Sequence, residues 1–152
     1  MATIVSLGSG IKEFTFAFDE TATGNAVTVR FNPTNMLFAE KLFSTFDEMD
    51  AIGDKYVKQL DAANDSKSLF TITRAAEKEM REKMNALFGT DFCTPLFGEY
   101  ESVYASDGDG LPVWASILLA TIDEIDTSFV AEKEKTNPRI KKYTEKYNRR
   151  RK

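Results

Sequence analysis

Three stretches of the chain repeat their apolar residues at steps of three and four, a period that admits little except helices packed side by side. In the first, Phe38, Leu42, Phe46 (or Thr45), Met49, Ile52, Tyr56 and Leu60 form one stripe, which predicts a helix over about 34–61. In the second, Leu69, Ile72, Ala76, Met80, Met84 and Leu87 do the same over about 68–88, with Arg74, Lys78, Glu79, Arg81 and Glu82 largely on the other side. The third seam runs through Trp114, Leu118, Ile122 (or Thr121), Ile125 and Phe129, widened by Ile117 and Leu119, over about 112–133. A helix with one apolar stripe has to bury it against a neighbour, so the three together predict a bundle.

The punctuation between the stripes agrees with this. Asn32-Pro33 reads as an N-cap followed by proline in the first turn, and Pro112 suits the first turn of the third helix. The polar run from Ala62 to Lys67 breaks the period, and Gly89 stands where a left-handed helix terminator belongs. Thr90–Gly98 then forms a link, with one helical turn around Phe92–Phe97. Gly53 inside the first helix costs about 1 kcal/mol relative to alanine, which predicts a bend or a close contact there. Asn137-Pro138 is expected to end regular structure, leaving a tail with at most a short frayed helix.

Ahead of the helices the period changes to two. Phe14, Phe16 and Phe18 alternate, then Val27, Val29 and Phe31, with turn chemistry at Thr23-Gly24-Asn25 between them. A hairpin of about 12–19 with 26–31 follows. Two strands alone are marginal in water, so the Phe/Val face must lie on the helices or add to a neighbouring chain's strand. The expected fold class is mainly α: a three-helix bundle-like domain over 12–133 with an N-terminal β-hairpin, a flexible leader over 1–11 and a basic C-terminal tail over 134–152.

Composition removes several kinds of chemistry. The 152 residues include no histidine, which excludes Ser-His-Asp, Cys-His and His-based zinc sites. Cys93 is the single cysteine, so no intramolecular disulfide forms, and a reducing compartment fits. The opening MATIVSLGSG lacks the basic and apolar regions of a secretory signal, and no apolar run reaches the length of a membrane span. A cytoplasmic protein is the expectation. Asp107-x-Asp109 resembles the start of a calcium loop, but Leu111, Pro112 and Leu118 occupy the remaining ligand and glycine places, so it reads as an acidic turn. Gly8-Ser9-Gly10 lacks the strand, the third glycine and the lysine of a phosphate cradle. The carboxylates of the third helix repeat along a solvated face. The sequence therefore predicts no enzyme, and no catalytic, cofactor or metal site.

Charge is divided sharply. From Lys135 to Lys152 nine Lys/Arg stand against one Glu, a net of +8, while the other residues (11 basic, 23 acidic) carry −12. The tail cations Lys141, Lys142, Lys146, Arg149, Arg150, Arg151 and Lys152 interleave with Tyr143 and Tyr147. They suit phosphate contacts and base stacking on a nucleic acid, or docking on an acidic protein surface, this protein's own body included. The acidic body weighs against nucleic acid.

One stretch carries a resemblance. MNALFGTDFCTPLFGEY from Met84, then a glycine turn, then Leu111-Pro112-Val113-Trp114 and the acidic-apolar helix through Thr127, is similar to small tail assembly chaperones of long-tailed bacteriophages of Gram-positive hosts. The leading hairpin with Phe31-Asn32-Pro33 and the terminal Lys142-Tyr143-x-x-Lys146-Tyr147 support it. The close match covers about a third of the chain. The doublet Gly108/Gly110 and the long Thr90–Gly110 link depart from the usual pattern.

The resemblance implies a non-catalytic assembly factor in the host cytoplasm. It would bind and solubilise the tape measure protein, help recruit tail tube subunits, self-associate, and be absent from the mature virion. The chain would be the short form of a frameshifted pair. Phe88, Phe92, Leu96, Phe97 and Trp114, at the junction of the second and third helices, are assigned to client or self-contact, with closure of the chain's own core as the alternative. On the first assignment Phe97→Asp abolishes solubilisation and leaves helicity intact. The other functions to be separated from this one are a small nucleic-acid-binding protein using the tail and a structural tail or connector protein.

Overall fold

The computed structural model describes residues 1–21 and 24–151, the stretch 133–151 by its backbone alone. Two strands, β1 (Lys12–Ala17) and β2 (Ala26–Phe31), precede helices α1 (Met36–Ala62), α2 (Ser66–Phe88), α3 (Cys93–Phe97) and α4 (Val113–Arg151). The mainly helical class with an N-terminal antiparallel hairpin is as the periodicity predicts. No described helix is long and apolar enough to cross a membrane.

The hairpin pairs Lys12 with Phe31 through Ala17 with Ala26, which puts Phe14 and Phe16 on the same face as Val27, Val29 and Phe31. That face lies on the helices: Phe31 stacks between Phe14 (4.4 Å) and Phe38 of α1 (4.5 Å). Outside, Thr15 and Thr28 share a hydrogen bond of 2.8 Å across the strands. Of the expected turn, Gly24 and Asn25 are bends, and Thr23 lies outside the described residues.

α1 and α2 form an antiparallel pair joined by Ala63–Asp65. Lys41 Nζ donates to the Ala86 carbonyl (2.6 Å), and Lys83–Glu48 and Lys55–Glu79 ion pairs (3.0 Å each) follow along the seam. The α1 stripe is buried at Ala39, Leu42, Thr45, Met49 and Ile52, and α2 at Met80, Met84 and Leu87. α4 closes the bundle with Trp114, Ile117, Leu118, Thr121 and Ile125. Gly53 makes the predicted close contact, because a Cβ there would stand 2.9 Å from Tyr104 Oη.

Three local expectations are corrected. Asn35, not Asn32, caps α1, accepting from the Leu37 amide at 3.0 Å. Asn32 is committed to a turn, its Oδ1 accepting from the Thr34 amide (2.9 Å) and hydroxyl (2.7 Å), while Pro33 is buried. Leu119 is 38% exposed and does not widen the α4 seam, since it faces away from Leu118 and Thr121. Regular structure does not stop at Asn137-Pro138 but continues to Arg151. One proline removes one helical hydrogen bond, and the Glu-, Lys- and Arg-rich sequence on either side favours helix.

Candidate partner-binding surface

The five residues assigned to partner contact meet at the centre of the molecule. Asn85, at the end of α2, accepts the Phe92 and Cys93 amides on its Oδ1 (2.8 and 3.0 Å) and so folds the chain back at Gly89. Gly89 itself is left-handed (φ 69°). Asp91, just ahead of α3, accepts from the Thr94 amide (3.2 Å), which holds its carboxyl below the usual value.

This fold-back drives Phe92, Leu96 and Phe97 inward. Phe92 stacks on Phe88 (4.4 Å) and meets Phe16 edge-on (5.3 Å), and Phe97 is covered by Phe18 (5.9 Å) and the Arg81 guanidinium (5.6 Å). Trp114 packs edge-on against Phe46 (5.3 Å). Phe92, Leu96, Phe97 and Trp114 are buried, and Phe88 is half-buried. They close the chain's own core, the alternative that the sequence leaves open. A core junction and an interface are written in the same residues, and Phe-Gly pairs alone do not distinguish them.

A polar clamp fixes the link beyond α3. Arg81 Nε donates to Glu77 (2.9 Å), its two terminal nitrogens to the Gly98 and Glu101 carbonyls (3.0 and 2.8 Å). Glu77 in turn accepts from the Ser102 hydroxyl (2.7 Å) and the Val103 amide (3.0 Å). The acidic turn is also internally satisfied. Asp107 Oδ1 accepts from the Asp109 and Leu111 amides (2.7 and 3.1 Å) and Oδ2 from the Ser116 hydroxyl, a bond that lowers the Asp107 pKa. Burial pushes the Cys93 thiol up to about 12, which keeps it protonated.

One partly uncovered apolar surface lies at the far end of the α1–α2 pair. From Asp54 to Glu79 no residue is buried, so both helices run on past the core. Their facing sides still carry an apolar stripe. Tyr56, Val57, Leu60, Ile72 and Ala76 line a narrow groove of about 90 Å³ that Tyr104 borders. Beside it Leu69 and Phe70 are 37% and 65% exposed. Tyr56 is held by a hydrogen bond to Glu79 (2.7 Å), to which Lys55 also donates.

A second concavity, of about 600 Å³, separates Phe16, Ala17 and Phe18 from Val113, Ile117 and Ala120. The tail cations Lys141, Lys142, Lys146 and Arg149–Arg151 stand on the continuation of α4, where only the backbone is described, and Lys152 lies outside the described residues. No family model, curated protein or solved structure matches the chain.

Proposed function

We propose that the chain is a non-catalytic tail assembly chaperone, which binds and solubilises the tape measure protein in the host cytoplasm and helps recruit tail tube subunits. The resemblance of the Met84–Thr127 stretch supports this family, and one observation supports the binding role. Two helices continue beyond the core with the apolar stripe between them only half-buried, and no residue from Asp54 to Glu79 is buried.

A long apolar helical client suits such a surface. A helix can lie along the groove between two others, giving up its own apolar stripe to theirs. Leu69, Val57 and Phe70 are 37%, 45% and 65% exposed, so each offers that fraction of the about 1.5–3 kcal/mol that full burial of such a side chain contributes. The −12 charge of the rest of the chain keeps loaded complexes apart in solution.

Co-expression with the tape measure protein tests the reading. The client is expected in the soluble fraction with the chaperone and in the pellet without it. A client that precipitates in both cases contradicts the proposal. Mass spectrometry of finished virions separates the alternatives, since a structural connector remains in the particle and an assembly factor does not.

A further inference from the structure

A different uncovered face runs along the body of α1. Met36, Phe43 and Asp50 recur every seventh residue, and Glu40, Asp47 and Asp54 do so one turn on, so the six share a strip about 27 Å long. All six are exposed, Met36 at 66% and Phe43 at 53%. Among the described residues none of its four carboxylates makes an ion pair. The pairs on this helix, Glu48–Lys83 and Lys55–Glu79, point toward α2.

The complement to that strip is in the same sequence. Residues 135–152 carry a net +8, and Ile140, Tyr143 and Tyr147 fall among the cations at three- and four-residue steps. As the continuation of α4, residues 135–151 span about 24 Å of helix, close to the length of the strip. They cannot reach it within one molecule. Trp114 sits 5.3 Å from Phe46, and α4 continues from there as one helix. Residue 135 is then about 31 Å along α4, whereas α1 extends no more than about 24 Å from Phe46 in either direction.

We propose that the α1 strip receives the basic C-terminal segment, residues 135–152, of a second copy of this chain. The exposed apolar residues supply area, and the flanking carboxylates set register and select a basic partner. Strip and tail are different surfaces, so two copies either exchange tails reciprocally and close as a dimer, or the contact runs head-to-tail into an open row or a ring. The inference does not rest on the chaperone reading, since it needs no client.

Sedimentation velocity on the full chain, freed of nucleic acid, tests it over a range of concentrations in low and high salt. Dimers or larger assemblies are expected at about 0.05 M salt and dissociate at about 0.5 M, where screening shortens the reach of the charges. Asp47→Lys with Asp54→Lys, and separately Lys142→Glu with Lys146→Glu, should each weaken assembly by about tenfold or more. An equimolar mixture of the two variants should form a heterodimer that neither variant forms alone, because the intact tail of one meets the intact strip of the other and the pair is capped at both ends. Circular dichroism checks that each variant is folded, and the tail variant keeps the test alive if the α1 variant is not. A monomer at every concentration, variants that assemble like the parent, or a mixture that forms no heterodimer overturns the proposal. So does a tail that binds an oligonucleotide while the protein stays monomeric.

Discussion

Phe97 touches Phe18 and Arg81 and is 1% exposed, so truncating it opens a hole bounded by the hairpin, α2 and α3. Phe97→Ala is expected to cost about 3–5 kcal/mol, read from the urea midpoint, and Phe97→Asp to abolish the fold. Loss of client solubilisation in Phe97→Asp would therefore reflect unfolding. Phe70→Asp, at a position 65% exposed, should change stability by no more than about 0.5 kcal/mol. Cys93 offers an independent reading of the same core. Its pKa of about 12 against an ordinary 9.0 cuts the reactive thiolate about a thousandfold near neutral pH, and the sulfur is buried as well. A thiol reagent should label native protein slowly and label it at once above the urea midpoint. Fast labelling of native protein would show that the junction is open.

The helix ends make their own predictions. Gly89 is left-handed with open space where a Cβ would go, so Gly89→Ala should cost about 1 kcal/mol from backbone strain alone. Asp65 accepts from the Ser68 amide, Asp91 from the Thr94 amide and Asp107 chiefly from the Ser116 hydroxyl, and each bond lowers the carboxyl pKa from 3.8. A lowered folded pKa means stability that is complete above the unfolded value and disappears as pH falls through the folded one. Thermal stability should therefore fall below about pH 4, and replacing the three aspartates by asparagine should flatten that decline. A decline equally steep in the triple variant would assign the acid sensitivity to other carboxylates.

At the scale of the elements most of the fold was legible in sequence. The three stripes gave the long helices, Gly89 ended α2 at the expected residue, and alternation gave the hairpin. The misreadings have physical causes. Asn32 and Asn35 are both cap residues three positions apart, and only the turn made by Asn32 decides between them. The Phe-Gly junction reads in sequence as contact surface or as core, because aromatic rings serve both, and burial decides for the core. The converse holds for Leu60, Leu69 and Ile72, which continue the core period without interruption. Nothing in sequence says that the third helix stops covering them.

The whole molecule combines a sealed aromatic centre, a pair of helices that run past it, and a charge distribution split between body and tail. On the proposed reading, the buried aromatic centre holds the fold while the client comes and goes, the projecting pair changes occupant without disturbing the core, and the charged surfaces serve contacts between copies. Hydrogen exchange on the chain with and without the tape measure protein tests this division of labour most directly. New protection should appear in the residues from Asp54 to Glu79, with Phe88–Phe97 already slow in the free chain. A complex whose protection is confined to Thr90–Gly98, or absent from the projecting helices, would contradict it.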